Sequence, residues 1–493
     1  MPEQMDLDHK HELFRLIEPI RIKSRDLYEG IHAVRAKKTE YLKQGKNESK
    51  SDYLTRLRFS VLDPYVGNII TARQASLFGK PHIREVHPKL EPFLRNIDIL
   101  GTGAPAFFEK VAMESQIDGT AWVLIDMPKR ETVTGEEGLQ PESMLSDLEQ
   151  GIRPFMQLVP AASIIDWEIG KDRELEWVVM KELFPLERRK IEENMMGGWG
   201  FPPVFVPQWK IWTKYGWFVY QELDAKKGPK LIDMGIHELG VVPLVPFYGI
   251  KYSDCIGLPA AYGVLDHIIS LYNKESLADR YEEVSCHPIP YTIGPKPPAK
   301  IDTGKGIHLP TIPDHPIPHI GFLEPNGSSL QIIRDSRIDL RYRIISIALG
   351  RARKETAQVQ SGESIKQDRK IFSGELVNAS IGYEQSEKRC WQIFALWLEL
   401  VKSIDEADSL IRISYNRDFE DEMFDPSLIT TLRELVLGEM LPLRTFLELL
   451  VSGEILPAGT NVEELLEVLH KEMAEREYGV FQHKGTEIGA AEG

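Results

Sequence analysis

Arg334, Arg337 and Arg341 step at three and four residues, so they share one face of any helix they lie on, and Arg351, Arg353 and Lys354 follow directly after Gly350. Cations so arranged can meet phosphate groups. They can also form a solvated, salt-bridged face with Asp335 and Asp339 beside them, and cations just past a helix end meet the negative pole of its dipole. From Arg334 to Lys370 ten Lys or Arg stand against five Asp or Glu, a local balance of +5, while the whole chain carries −16. A basic island inside an acidic protein points to polyanion contact at one place rather than a positive coat.

Other constellations carry less. His308, His315 and His319 with Asp314 sit among Pro310, Pro313, Pro316 and Pro318, and an extended chain does not bring such spacings onto one face. Turn or interface packing is favoured there over a metal. Asp126 and Asp166 fall near the ends of expected strands, where catalytic carboxylates occur but where polar residues are also commonplace. The TGKG at 303–306 lacks the upstream glycine and the Ser/Thr of a phosphate loop, and the GTGAPA at 101–106 lacks a third glycine and a clear preceding strand. A nucleophile elbow, an HExxH helix and a paired CxxC are all missing. No cofactor, no metal and no catalytic activity are therefore expected.

The elements that must position the basic island read clearly. SLQIIRDSRIDLRYRIISIALG has helical spacing, RARKETAQVQSGES is a polar loop, and the run from IKQDRK to ALWLELV is a long amphipathic helix. Along that helix Phe372, Leu376, Ala379, Tyr383, Cys390, Ile393, Trp397 and Leu400 form an apolar stripe, with Cys390 on the core side. Upstream, 24–46 reads as a charged helix capped by Ser24, and a second helix after Ser51-Asp52 is kinked at Pro64 and stopped by Gly79. IREVHP is a short strand, PAFFEKVAMESQIDG a helix closed by Gly119, and TAWVLIDMP a buried strand. The segment 129–153 is an acidic loop. From 154 to 250 the signals are mostly strand, with Trp209, Trp212, Trp217 and Tyr220 around a Lys214-Tyr215-Gly216 turn. A helix from Pro259 to about Tyr281 precedes some forty residues rich in proline and glycine, which read as a small extended module with edge strands. The tail from 426 is helical again.

At 493 residues the chain exceeds what one hydrophobic core usually serves, so two or more lobes of α+β class are expected. With 42% hydrophobic and 27% charged residues the composition is that of a globular protein. No apolar run reaches the ~18 residues that would cross a bilayer, so no membrane partner is expected. The N-terminus lacks the n- and h-regions of a signal peptide, which places synthesis in a cytoplasm. Cys255, Cys286 and Cys390 are few, far apart and odd in number, which fits reduced thiols. The acidic total argues against loose wrapping by nucleic acid, whose affinity comes from neutralised phosphates.

Taken in order, these parts resemble the portal proteins of tailed bacteriophages. YLTRLRFSVLDPYVGNIITARQASLFGKP looks like the early helix and following strand of that family, and GLPAAYGVLDHIISLYNKESLADRY with HPIPYTIG is similar to the stem helix entering the clip. GSSLQIIRDSRIDLRYRIISIALG resembles the returning stem helix, SGESIKQDRKIFSGELVNASIGYEQSEKRCWQIF the long wing helix, and LVSGEILPAGTNVEELLEVLHKE the crown. The likeness spans about 24 to 475 and rests on order rather than on any single signature. The 129–153 loop and the tryptophan-rich strands near 199–222 have no counterpart in it.

The resemblance implies an α+β wing at 1–257, a stem at 258–284 and 326–350, a small α/β clip at 285–325, a tunnel loop at 351–362, a long wing helix and wing return at 363–425, and a helical crown and tail at 426–493. It implies a homo-oligomeric ring of about twelve subunits at one capsid vertex of the virion, assembled in the host cytoplasm. Double-stranded DNA would pass through it without sequence recognition during packaging and ejection. The expected partners are the major capsid protein, scaffolding protein, terminase and a head-completion adaptor, with ATP hydrolysis left to the terminase. Arg351, Arg353 and Lys354 are then tunnel-loop cations, and Arg334, Arg337 and Arg341 candidates for facing the channel. The alternatives are a cytoplasmic α+β enzyme gripping a phosphorylated substrate with the same arginines, or another ring-forming head–tail connector.

Overall fold

A computed structural model describes residues 6–128, 153–186, 204–223, 226, 228–286, 289–293, 319–323, 327–349 and 362–419, with single positions between 443 and 471. The fold is mixed α+β, with 50% of the described residues in helix and 24% in strand. It divides into a unit from Met1 to Phe419 and a second from Glu420 to Gly493. In the second unit, helical residues occur at 443–445, 447, 462–463 and 465–467, Leu447 is buried, and Arg444 reaches Glu463 at 3.4 Å.

The first unit opens on helix α1 (Glu12–Glu29), not on a helix starting at Ser24. Ser24 lies inside α1, fully buried, and its hydroxyl donates to the Ile117 carbonyl at 2.7 Å. Gly30, at φ +87°, ends α1 and lets the chain turn into the short α2 (Ile31–Ala36), so the expected single helix is two. Arg25 fixes α1 by bonding Asp118 at 2.7 Å and Glu114 at 2.6 Å. The next expected helix is also two, α3 (Lys50–Phe59) and α4 (Tyr65–Phe78). Pro64 sits between them just before the first residue of α4, where its missing N–H costs nothing.

Strand β1 (Ile83–Val86) leads to helix α5 (Ala104–Asp118), and α5 ends where expected, at Gly119 with φ +88°. A Cβ there would run into the Gly257 carbonyl, and one on Gly257 into that of Gly119, so the two glycines permit a backbone contact no other residue would. Strand β2 (Thr120–Asp126) follows, between β3 (Phe155–Pro160) and β9 (Leu244–Tyr248) in an antiparallel three-stranded sheet. Ala121, Val123 and Ile125 enter one core with Phe107, Phe108, Tyr383 and Phe394, while Trp122 and Leu124 enter a second with Trp167 and Trp209. Burial on both faces is why β2 reads as an unbroken apolar run.

A second sheet runs β4-β5-β6-β7-β8, all antiparallel: β4 (Ile164–Ile169), β5 (Leu175–Leu186), β6 (Val204–Thr213), β7 (Gly216–Gln221) and β8 (Lys230–Ile236). The β6–β7 hairpin turns at Lys214-Tyr215 as expected and pairs Trp212 with Trp217. β8, and the small ribbon of β10 (Ile250–Ser253) with β11 (Ile256–Leu258), have no sequence expectation behind them.

Helix α6 begins at Leu265, after a 3-10 turn at Tyr262–Val264, rather than at Pro259, and runs to Cys286. Strands β12 (Ile289–Ile293) and β13 (His319–Leu323) pair antiparallel, and α7 (Gly327–Leu349) returns beside α6. Helix α8 (Gly362–Trp397) has 36 residues, about 54 Å at 1.5 Å per residue. It stops before Leu400 because Glu399 turns to φ +52° and the Leu400 N–H closes on Ala395. Leu376, Tyr383, Cys390 and Ile393 of the expected stripe are buried. Strand β14 (Ile411–Ser414) then pairs with β1, Ile83 opposite Ser414.

Candidate functional site

The expected site residues fall on α7 and on the segment after it. Leu265, Ile268, Leu271 and Tyr272 of α6 and Leu340 and Ile344 of α7 belong to a helical core with Leu57, Val66, Ile69 and Ile70. That core holds the two helices antiparallel at one end, with Ile347 against Gly263. Beyond it the pair is joined by polar contacts. Glu275 of α6 accepts from Arg341 at 2.8 Å and from Arg337 at 3.2 Å, and Lys274 bonds Ser336. Arg341 also lies 3.9 Å from Asp63, and Arg343 pairs with Asp339 one turn earlier at 3.0 Å.

Arg337 and Arg341 therefore share a face, as their spacing requires, and that face is turned to a carboxylate of the neighbouring helix. Arg334 is exposed and has no ion pair among the described residues. Arg351, Arg353 and Lys354 lie outside the described residues, as do His308, Asp314, His315, the TGKG segment and most of the 129–153 loop. His319 is exposed on β13, in register with Ile293. No group of three or more His, Cys, Asp or Glu is placed to hold a metal among the described residues.

Glu275 was invisible to spacing arguments, because its partners lie more than sixty residues away. So was the brace on the C-terminal half of α6. Glu48, nearly buried, accepts from Arg56 at 2.8 Å and from Arg280 at 2.7 Å, and Arg56 reaches Ser276 at 3.1 Å. The Arg56 hydrogen bonds hold the Glu48 carboxyl down at about 2 despite its burial, so it stays charged through the physiological range.

Several apolar side chains of the pair are exposed. Ile332 is 70% exposed, and Ile338, Tyr342, Ile345, Ile347 and Leu277 are exposed as well.

The two strand-end aspartates differ. Asp166 accepts from His9 at 2.7 Å and from the Trp167 N–H at 3.0 Å, and so anchors the N-terminal segment. Asp126 closes β2, and burial pushes its carboxyl up to about 6 against the pull of the Met127 N–H and Lys210. GTGAPA runs into the first turn of α5 after a loop and a 3-10 turn, without the strand a dinucleotide site needs. Burial raises the Cys255 thiol to about 12 and pushes the Cys390 thiol well above the usual thiol range, so neither is a nucleophile near neutral pH.

No helix among the described residues is long and apolar enough to cross a membrane. No protein-family model matches the chain, and no curated protein matches it.

Proposed function

We propose that this chain is the subunit of a portal ring: a homo-oligomer of about twelve copies at one capsid vertex, through which double-stranded DNA is packaged and ejected. The observation that carries the reading is the order and pairing of parts from 265 to 397. Helix α6, the β12–β13 ribbon, the antiparallel return of α7 and the long α8 follow one another as stem, clip, stem and wing spine would. In that assignment the wing is 1–257 with 363–425, the stem 258–284 with 326–350, the clip 285–325, the tunnel loop 351–362 and the crown 426–493. Terminase, scaffolding protein, the major capsid protein and a head-completion adaptor are its partners, and it has no catalysis of its own.

Two physical features support this reading. A conduit must not hold its cargo, since every neutralised phosphate adds salt-sensitive affinity. The chain is acidic, at −16, and the cations of α7 are largely spent on Glu275 and Asp339. The exposed aliphatic side chains of α7 suit a helix pair flanked by copies of itself.

The test is the native mass of the purified chain. A mass near twelve times 56.3 kDa is expected. A monomer or a dimer at every concentration sinks the ring.

A further inference from the structure

The connection between α2 and α3 carries a second basic patch, and this one lies among the described residues. Residues 37–50 hold five Lys against two Glu, in a chain that carries −16. The fold turns one lysine and one glutamate inward. Lys37 bonds Asp26, which also takes the Tyr41 hydroxyl, and Glu48 lies under the loop against Arg56 and Arg280. Lys38, Lys43, Lys46 and Lys50 are exposed and have no ion pair among the described residues.

Two of these four sit where local structure disfavours a lysine. Lys38 is held at φ +50° in a 3-10 turn (Lys38–Glu40), a region that long side chains avoid. Lys50 opens α3, where the helix dipole is itself positive. Glu40 and Asp52 are the exposed carboxylates of the stretch, two against four. The backbone beneath the lysines is fixed. Tyr41 and Leu42 are buried, and Asn273 of α6 donates to the Tyr41 carbonyl at 2.7 Å and accepts from the Lys43 N–H at 2.9 Å. The Lys43 carbonyl takes Arg56 at 2.7 Å, the Leu42 carbonyl takes the Tyr53 hydroxyl at 3.1 Å, and the Gly45 N–H donates to Glu48 at 2.8 Å. A loop pinned in this way meets a partner without paying to order its backbone.

We infer that this loop is a phosphate-contact site, at which Lys38, Lys43, Lys46 and Lys50 neutralise phosphates of a nucleic-acid duplex without reading its bases. The division of cations favours phosphate over a carboxylate partner. Arg56 and Arg280, whose planar forks match carboxylates, are committed to Glu48, and the outward charges are all lysines, compact ammonium groups that bind phosphate as point charges. A duplex is favoured over a single strand because Tyr41, the one aromatic ring in 37–50, is buried and offers unpaired bases no stacking surface. The site rests neither on the ring proposed above nor on the segment 351–362.

The test is the binding of a fluorescent DNA duplex of mixed sequence to the full-length chain, read by anisotropy as salt is varied. The parent affinity should fall about a hundredfold between about 50 and 200 mM salt, the slope of about four neutralised phosphates. Lys38→Ala, Lys43→Ala, Lys46→Ala and Lys50→Ala together should flatten that slope by about one unit per lysine. A second chain carries Lys89→Ala, Lys110→Ala, Lys171→Ala and Lys402→Ala, which removes the same charge from scattered exposed positions, and it should bind as the parent does. Lys43→Gln with Lys46→Gln should lose half as much slope, and serves if the fourfold variant fails to fold. Three results overturn the site: no binding by the parent at low salt, equal weakening in the scattered variant, or displacement of the duplex by poly-glutamate at equal charge concentration. The last assigns the loop to an acidic protein instead. Native mass separates this idea from the portal: a lysine-dependent slope without a ring leaves the loop site standing alone, and a ring whose DNA affinity ignores the four lysines leaves only the portal reading.

Discussion

Arg341 on α7 donates to Glu275 on α6 at 2.8 Å, across 66 residues of chain, and Arg337 joins the same carboxylate from one turn away. The carboxylate is mostly shielded from water, so the contact ties the helix pair together beyond its apolar base.

Glu275→Gln keeps an acceptor but loses the charge that holds two guanidinium groups. It should destabilise the fold by about 1.5–3 kcal/mol, the range for hydrogen bonds to charged groups. Urea denaturation measures this. A double-mutant cycle with Arg341→Gln should give a coupling of about 0.5 kcal/mol or more, and additive effects would show that the pair is not a working contact.

A deeper ion pair lies elsewhere. Glu387 of α8 is fully buried and accepts Arg84 of β1 at 2.6 and 3.0 Å and the Tyr415 hydroxyl at 2.5 Å. Arg84→Met strands that carboxylate in the core and should cost about 3–5 kcal/mol. Replacing Arg84 by Met and Glu387 by Leu together should recover much of the loss in the same denaturation experiment.

Acid titration should reveal two opposed groups. Asp126 is raised by burial to about 6, against 3.8 in an unfolded chain, so the folded state holds an extra proton between those values and loses stability as pH rises through them. His237, packed 6.1 Å from Trp212 and 5.7 Å from Trp397, is lowered by burial to about 4, against 6.5, so stability falls as pH drops from 6.5 to 4. Each effect is worth up to about 3 kcal/mol at 1.36 kcal/mol per unit. Asp126→Asn should stabilise the protein at pH 7 and leave a steeper loss toward pH 4, read from melting temperature against pH. An unchanged profile would show that Asp126 ionises freely.

On the portal ring proposed above, replacing Arg351, Arg353 and Lys354 together by Ala should leave assembly intact and alter DNA retention or packaging, because these cations would touch passing phosphates without reading bases. Packaging assays on rings of the variant decide this. Unchanged packaging would remove the contact.

The parts of this fold whose signals are local were legible along the chain. Period-2 and period-3.6 apolar spacing located β2 to β7, α5, α7 and α8, and Gly119 and Pro64 marked real breaks because backbone geometry at those residues needs no distant partner. What meets across long stretches of chain emerged with folding alone. Ser24 has the chemistry of a cap, yet it is buried against Ile117 inside a helix that starts at Glu12. β14 is four residues long and is a strand because β1, more than three hundred residues away, supplies its ladder. The arginines of α7 advertised positive charge, and the fold set Glu275 against two of them. Spacing along one helix tells which residues share a face. It does not tell what that face meets, since ion pairs depend on distances that the chain sets only once it has folded.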